Sequence, residues 1–177
     1  MTKVILTVGF ARSGKSTVAK HIGEEYGFKR IGFSDFITKE LEKRNLETTK
    51  DNMMKYGEQF RQELGEDYLI KQVLEGIKEN DKVVISGLRL LNEYEKIKTS
   101  FADTKMILVS SIEQNRFDRR KDTSKTKEEF LARDEHDERV YAMKQVFEKR
   151  DYEIENNSSC KDLLEKVDEI IKKELNG

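Results

Sequence analysis

The sequence predicts an α/β fold with three layers around a five-stranded, mainly parallel sheet. Two observations carry this: short β-branched apolar runs alternate with longer stretches of helical spacing, and a glycine-rich loop follows directly on the first run. Lys3–Val8 (KVILTV) is apolar almost throughout, the pattern of a strand covered on both faces. From Ser16 to about Tyr26, Val18, Ala19, Ile22 and Tyr26 recur at helical spacing, and Gly27 follows as the C′ residue. Phe28–Phe33 is the second strand, and Ser34-Asp35 supplies the N-cap of a helix running to about Asn45. Residues from about Lys50 to Asn80 read as helix in two pieces broken near Gly65. Lys82–Ser86 and Lys105–Ser110 are the third and fourth strands, Asn115–Arg139 a solvated helix pair or a lid, Tyr152–Glu155 the fifth strand, and Lys161–Leu175 the final helix.

Composition narrows the function class. The 177 residues suit one domain, and about a quarter of them are Leu, Ile, Val or Phe, enough for a core. Charged residues reach 39%, yet 34 basic and 35 acidic residues leave a net charge of −1, which argues against a general nucleic-acid binder. No apolar run is long enough to span a bilayer, and MTKVILTV is too short for a signal-peptide core. The single cysteine, Cys160, allows neither an internal disulfide nor a cysteine-based zinc site. The expectation is a cytoplasmic protein with a small-molecule partner.

Gly9–Ser16 (GFARSGKS) matches G-x-x-x-x-G-K-[ST] in full. Glycines at this spacing let the backbone wrap closely, so that Gly9, Ala11, Arg12, Ser13, Gly14 and Thr17 present main-chain groups to phosphate oxygens. Lys15 reaches the β- and γ-phosphates, Ser16 offers its hydroxyl to Mg²⁺, and the following helix presents its positive end. The loop sits between a buried strand and a helix, as nucleoside triphosphate binding requires. ATP and Mg²⁺ are therefore the expected cofactors.

The rest of the chain selects among phosphate-loop proteins. No N-K-x-D for reading guanine is present, and the chain is short for a motor ATPase. Arginines are instead spaced through segments that overhang the strand ends: Arg61, Arg89, Arg116, Arg119 and Arg120, with Arg133 and Arg139 beyond. Transfer between two anionic substrates needs such charge.

From these residues the sequence resembles the nucleoside monophosphate kinase-like group of phosphate-loop proteins. It is most similar to the archaeal adenylate-kinase-related predicted nucleotide kinases, and also to dephospho-CoA kinases and phage-type deoxynucleoside monophosphate kinases. The resemblance rests on GFARSGKST, GFSDFITKEL, RQELGEDYL, VVISGLRLLNEYEKI, NRFDRRKD and DYEIENNSS in this order. It implies an acceptor-binding segment at about 34–80 and a lid at about 112–139. Asp35 would organise the acceptor or act as base, and Arg61 and Arg89 would hold its phosphate. Arg116, Arg119 and Arg120 would close over the donor phosphates, with Arg116 and Arg120 on one helix face. Asn156 to Ser159, Asn157 among them, would wrap the adenine, and Asn92-Glu93 echoes a pair in the deoxynucleotide kinases. For several of these residues a plain reading stands beside the functional one: Asp35 and Glu93 as helix-capping residues, the arginines as solvated surface.

One departure stands out. Relatives carry Asp at the end of the third strand, where this chain has Ser86. The implied reaction is γ-phosphoryl transfer from ATP to a nucleotide-like acceptor, a monophosphate or, with Asp35 as base, a hydroxyl as in dephospho-CoA. A nucleotide-binding regulatory module or slow NTPase is the competing class. The remaining charged positions are read as solvated: His21 on the polar side of the first helix, and His136 in RDEHDER, whose alternating charges form i,i+4 pairs.

Overall fold

A computed structural model describes residues 1–120 and 126–176. Its elements run β1 (Lys3–Val8), α1 (Lys15–Tyr26), β2 (Lys29–Gly32), α2 (Phe33–Lys43), α3 (Lys50–Leu64), α4 (Tyr68–Glu75) and β3 (Lys82–Ser86). They continue through α5 (Leu91–Ser100), β4 (Asp103–Ser110), α6 (Glu113–Asp118), α7 (Lys127–Tyr141), α8 (Met143–Phe147), β5 (Tyr152–Glu155) and α9 (Cys160–Asn176).

Five parallel strands lie in the order β2-β3-β1-β4-β5. β1 is central because it is apolar on both faces. Val4, Leu6 and Val8 enter a core shared with Phe33, Leu69, Val73, Ile97 and Val146 from one helical layer. Ile5 faces the opposite way, onto Val18 and Ile22 of α1 and Leu163, Val167 and Ile171 of α9. Strand alternation thus sorts one short run into two cores, giving the three layers.

The register decides where chemistry collects. Thr7 pairs with Ser86, Gly32 with Ser86, Val8 with Leu108, and Ser110 with Glu155. The carboxyl ends of all five strands therefore lie on one rim, from which the phosphate loop, the β3–α5 turn and the loop after β5 all emerge. In an open parallel sheet this rim, where the chain order reverses around β1, is where a ligand crevice forms.

Boundaries differ from expectation where local chemistry intervenes. α2 starts at Phe33 rather than after Ser34, because Asp35 Oδ2 accepts from Gly32 N–H at 2.9 Å and moves the cap two residues back. The break between α3 and α4 falls at Gly65, whose φ of 93° ends the helix. α6 ends at Asp118, so Arg119 and Arg120 lie beyond the helix end. Asp122 and the rest of the 121–125 stretch, at the centre of the expected lid, lie outside the described residues.

Candidate active site

The rim encloses a cavity of about 620 Å³. Its floor is the phosphate loop: Gly9, Ala11, Arg12, Gly14, Lys15, Ser16 and Thr17 line it. Glycine is required at two places. At Gly9, φ 149°, a Cβ would stand 2.3 Å from the Val109 carbonyl oxygen. At Gly14, φ 113°, it would stand 2.5 Å from Asn156 Nδ2, which itself donates to the Ser13 carbonyl at 2.8 Å. Arg12 adopts φ 62° without being glycine, a conformation costing roughly 1–2 kcal/mol for an L-residue. Such local strain is typical of a loop wound for a ligand. Ser13 is buried beneath it, and its hydroxyl has no partner among the described residues. First-turn N–H groups of α1 have no intrahelical acceptors and are available to an anion.

Lys15 Nζ donates to the Phe10 carbonyl at 3.2 Å. Burial, then the nearby Arg133 and Arg89, pull its pKa down to about 8. An ammonium held among like charges is a site waiting for negative charge.

The opposite side of the cavity is assembled from distant segments. Arg89, in the turn after β3, donates from Nη1 to Asp137 Oδ1 at 2.8 Å. Arg61 on α3 is buried; it donates from Nη2 to Glu93 Oε1 at 2.8 Å and from Nη1 to the Gly57 carbonyl at 3.1 Å. Both guanidinium groups lie close to the Tyr141 ring, at 5.5 Å for Arg61 and 5.0 Å for Arg89. Burial pushes the Tyr141 phenol pKa up, so it stays neutral beside them. Arg133 also lines the cavity; burial and the neighbouring Arg89 lower its pKa, and its Nε has no acceptor among the described residues. Phe33, Ile37, Met53, Met54, Leu88 and Met143 add an apolar wall.

Asp137 corrects the sequence reading of RDEHDER as a solvated face, while Arg133, counted there among the arginines near the strand ends, lines the cavity. Spacing of four along α7 turns Arg133, Asp137 and Tyr141 inward together, with Asp137 only 4% exposed. Their four-residue repeat was the available signal, hidden within a stretch where nearly every residue is charged. His136 is half-buried against Tyr141 and lies 3.6 Å from Glu58. His21 is likewise not solvated: Nε2 lies 2.6 Å from Asp168 Oδ1, joining α1 to α9. The outlying Arg139 is exposed.

The lid arginines separate. Arg119 reaches the cavity, donating to Ser111 Oγ at 3.1 Å and the Asn156 carbonyl at 2.9 Å. Arg116 is 4% exposed and does not line it; it donates to the carbonyls of Ala11 and Ser111, each at 3.2 Å, and pairs with Asp134 at 2.6 Å. It ties the phosphate loop to α7. Arg120 lies over its own neighbour Phe117, 3.6 Å from the ring centre, away from the cavity. Because α6 stops at Asp118, the shared face expected of Arg116 and Arg120 does not form.

Asp35 is exposed, caps α2 and does not line the cavity, whereas its neighbours Phe33 and Ser34 do. After β5, Asn156 and Ser158 line the cavity; Asn157 Oδ1 instead accepts from Ser111 Oγ at 3.1 Å and Ile112 N–H at 2.9 Å. Ser86 lines the cavity beside Gly87.

Comparison with known proteins agrees with this geometry. Residues 8–139 match a family described as an AAA domain. The chain belongs to that family. This AAA-domain chain is 32% identical to a UPF0200 protein of Thermococcus kodakarensis over 96% of its length and 99% of the relative's. It is 33% identical to a UPF0200/UPF0201 protein of Archaeoglobus fulgidus over 97% of its length, but spans only 55% of that protein. Among solved structures, the shikimate kinase of Acinetobacter baumannii in complex with shikimate superposes with a TM-score of 0.68 at 15% identity, covering 98% of this chain and 94% of that one. Dephospho-CoA kinase of Campylobacter jejuni gives 0.59 at 16% identity, covering 99% of this chain and 99% of that one. At such identities the likeness shows the fold alone, a phosphate-loop α/β fold. No described helix is long and apolar enough to cross a membrane.

Proposed function

We propose that the protein transfers the γ-phosphoryl group of ATP to a small anionic acceptor, a nucleoside or deoxynucleoside monophosphate. The observation that carries this is the charge inventory of the cavity. Lys15, Arg12, Arg61, Arg89, Arg119 and Arg133 line it, against one described carboxylate, Asp137, which is already paired with Arg89. A polyphosphate on the loop uses Lys15, Arg12 and Arg119, while Arg61 and Arg89 remain for a second anion. The apolar wall of Phe33, Ile37, Met53 and Met54 suits a flat base.

In the transfer an oxygen of the acceptor phosphate bonds to the γ-phosphorus, and the bond from that phosphorus to the β,γ-bridging oxygen breaks, releasing ADP. The protein supplies position and charge: Lys15 and Arg133 stabilise the transferring group, and Arg61 and Arg89 align the acceptor. A phosphate oxygen is already anionic and needs no base. That favours the monophosphate over a hydroxyl acceptor, because Asp35 is engaged as a cap and Asp137 as an ion pair.

The donor set also bears on magnesium. Ser16 and Ser86 line the cavity as neutral hydroxyls, and no acidic cluster able to hold a metal exists among the described residues. This fits an ion brought in with the nucleotide, held by Ser16, phosphate oxygens and water, not a resident one. When bound, such an ion neutralises charge on the β- and γ-phosphates. Ser86 is also the observation favouring the second reading, a slow nucleotide hydrolase without an acceptor.

The test is ADP formation from ATP and Mg²⁺ across nucleoside and deoxynucleoside monophosphates and dephospho-CoA, beside Lys15→Ala. A monophosphate that raises turnover well above background, lost in the variant, is the expected result. Stimulation by dephospho-CoA alone would assign the hydroxyl chemistry, and a flat screen with intact ATP binding would assign the second reading.

A further inference from the structure

The phosphoryl-transfer reading leaves one buried ionisable group without a role. Glu93, on the first turn of α5, is completely buried. Its Oε1 accepts from Arg61 Nη2 at 2.8 Å, and its Oε2 accepts from the main-chain N–H groups of Arg89 at 2.8 Å and Leu90 at 3.0 Å. One carboxylate thus grips the side chain of one acceptor-facing arginine and the backbone of the other. We infer that Glu93 is the positioning residue of the acceptor end, presetting Arg61 and Arg89 as a fork for a phosphate or similar tetrahedral dianion. The inference rests on the proposed acceptor site.

Capping alone does not explain the arrangement. A capping carboxylate needs only the main-chain donors and ordinarily sits at the surface. Here the carboxylate is fully desolvated, tolerated because each oxygen accepts a charge-assisted or main-chain hydrogen bond. Arg61 is equally confined: Glu93 and the Gly57 carbonyl take both Nη groups, while Nε is buried with no acceptor in a residue that lines the cavity. Gly57, inside α3, also lines the cavity, so the guanidinium lies back along the helix over a position with no side chain. Both guanidinium groups lie against the Tyr141 ring, and Asp137 holds Arg89 through Nη1. Apart from Arg61 Nε, which meets no acceptor among the described residues, these contacts are made before a ligand arrives, which is preorganisation.

Glu93→Gln keeps the shape, but its amide cannot accept on both sides: either Arg61 or the Arg89/Leu90 N–H pair meets an NH₂ group. The experiment uses the full chain saturated with a non-hydrolysable ATP analogue and Mg²⁺, so that the phosphate loop is filled, and titrates inorganic phosphate while following arginine side-chain ¹⁵N signals. Glu93→Gln is expected to weaken phosphate binding tenfold or more and to broaden the Arg61 signal, with analogue affinity within twofold of wild type. Glu93→Asp recovers part of the loss, and Lys96→Ala on the exposed face of α5, which removes an ion pair with Asp67, changes neither. Equal phosphate affinity in Glu93→Gln overturns the inference, as does parallel weakening of analogue and phosphate, which would mark a merely structural residue. Absence of phosphate binding in wild type overturns it too. An acceptor screen that fails while Glu93→Gln selectively loses phosphate affinity would sink the kinase reading and leave the positioning role standing.

Discussion

The two halves of the cavity are built on different principles. The proposed donor half is largely contiguous: seven of the nine residues from Gly9 to Thr17 line it, with Arg119 added from the end of α6. The other half is dispersed: Arg61, Arg89 and Arg133 come from α3, the β3–α5 turn and α7, and Arg61 and Arg89 are aimed by Glu93 and Asp137. A contiguous backbone site is specified by glycine positions and is insensitive to distant packing. A dispersed site exists only if two helices and a turn arrive in register, so its weak points are its ion pairs.

That contrast gives graded expectations. Lys15→Ala should have the largest effect, lowering ATP-dependent turnover about 10²–10³-fold with little change in melting temperature. Steady-state kinetics beside thermal unfolding checks it. Gly14→Ala should follow, because a Cβ would both strain φ 113° and strike Asn156. Nucleotide affinity should fall on the order of tenfold, with about 1–3 kcal/mol lost in stability. Equal affinity by titration calorimetry would separate the loop from nucleotide binding.

Arg133→Met tests the dispersed half. It should lower kcat on the order of tenfold to a hundredfold while leaving ATP affinity within a few-fold, since the loop is untouched. A loss confined to ATP affinity would move Arg133 to the donor half. Asp35→Asn should cost at most about 1 kcal/mol, the worth of a cap, and leave turnover nearly unchanged. A severe loss of activity would restore it as a base.

The smallest effect is on pH. Lys15 has its pKa lowered from 10.5 to about 8, so the folded apo-protein disfavours the charged amine and the unfolded chain holds more protons between these values. The sign follows: Lys15 makes folding less favourable below about pH 8, and this loss is relieved as pH rises from about 8 to 10.5. A polyphosphate favours the charged form, so nucleotide binding above pH 8 should take up a proton and weaken as pH increases. Calorimetry in buffers of different ionisation enthalpy measures this uptake, which Lys15→Arg should abolish.

Legibility in the sequence divides along the same line. KVILTV followed by GFARSGKS identifies strand, loop and helix because every determinant is local. The family resemblance implies Asp35 and Asn157 at the site, while side-chain geometry commits one to a helix cap and the other to the α6 turn. Arg116 was read as a lid arginine, yet its burial against Ala11 and Asp134 comes from how α6 and α7 cross, which no spacing records. The inward face of α7 was hidden because a buried ion-pair network and a solvated one use the same residues. What distinguishes them is what the helix packs against.

The most direct measurement of the central claim is the fate of the γ-phosphoryl group itself. With γ-labelled ATP, Mg²⁺ and the monophosphate that best stimulates turnover, the label is followed in a single turnover. Label recovered on the acceptor as a diphosphate, and lost together with Arg89→Met, is the predicted result. Label recovered only as inorganic phosphate, at a rate indifferent to acceptor and to Arg89, would contradict the account and make this cavity that of a hydrolase.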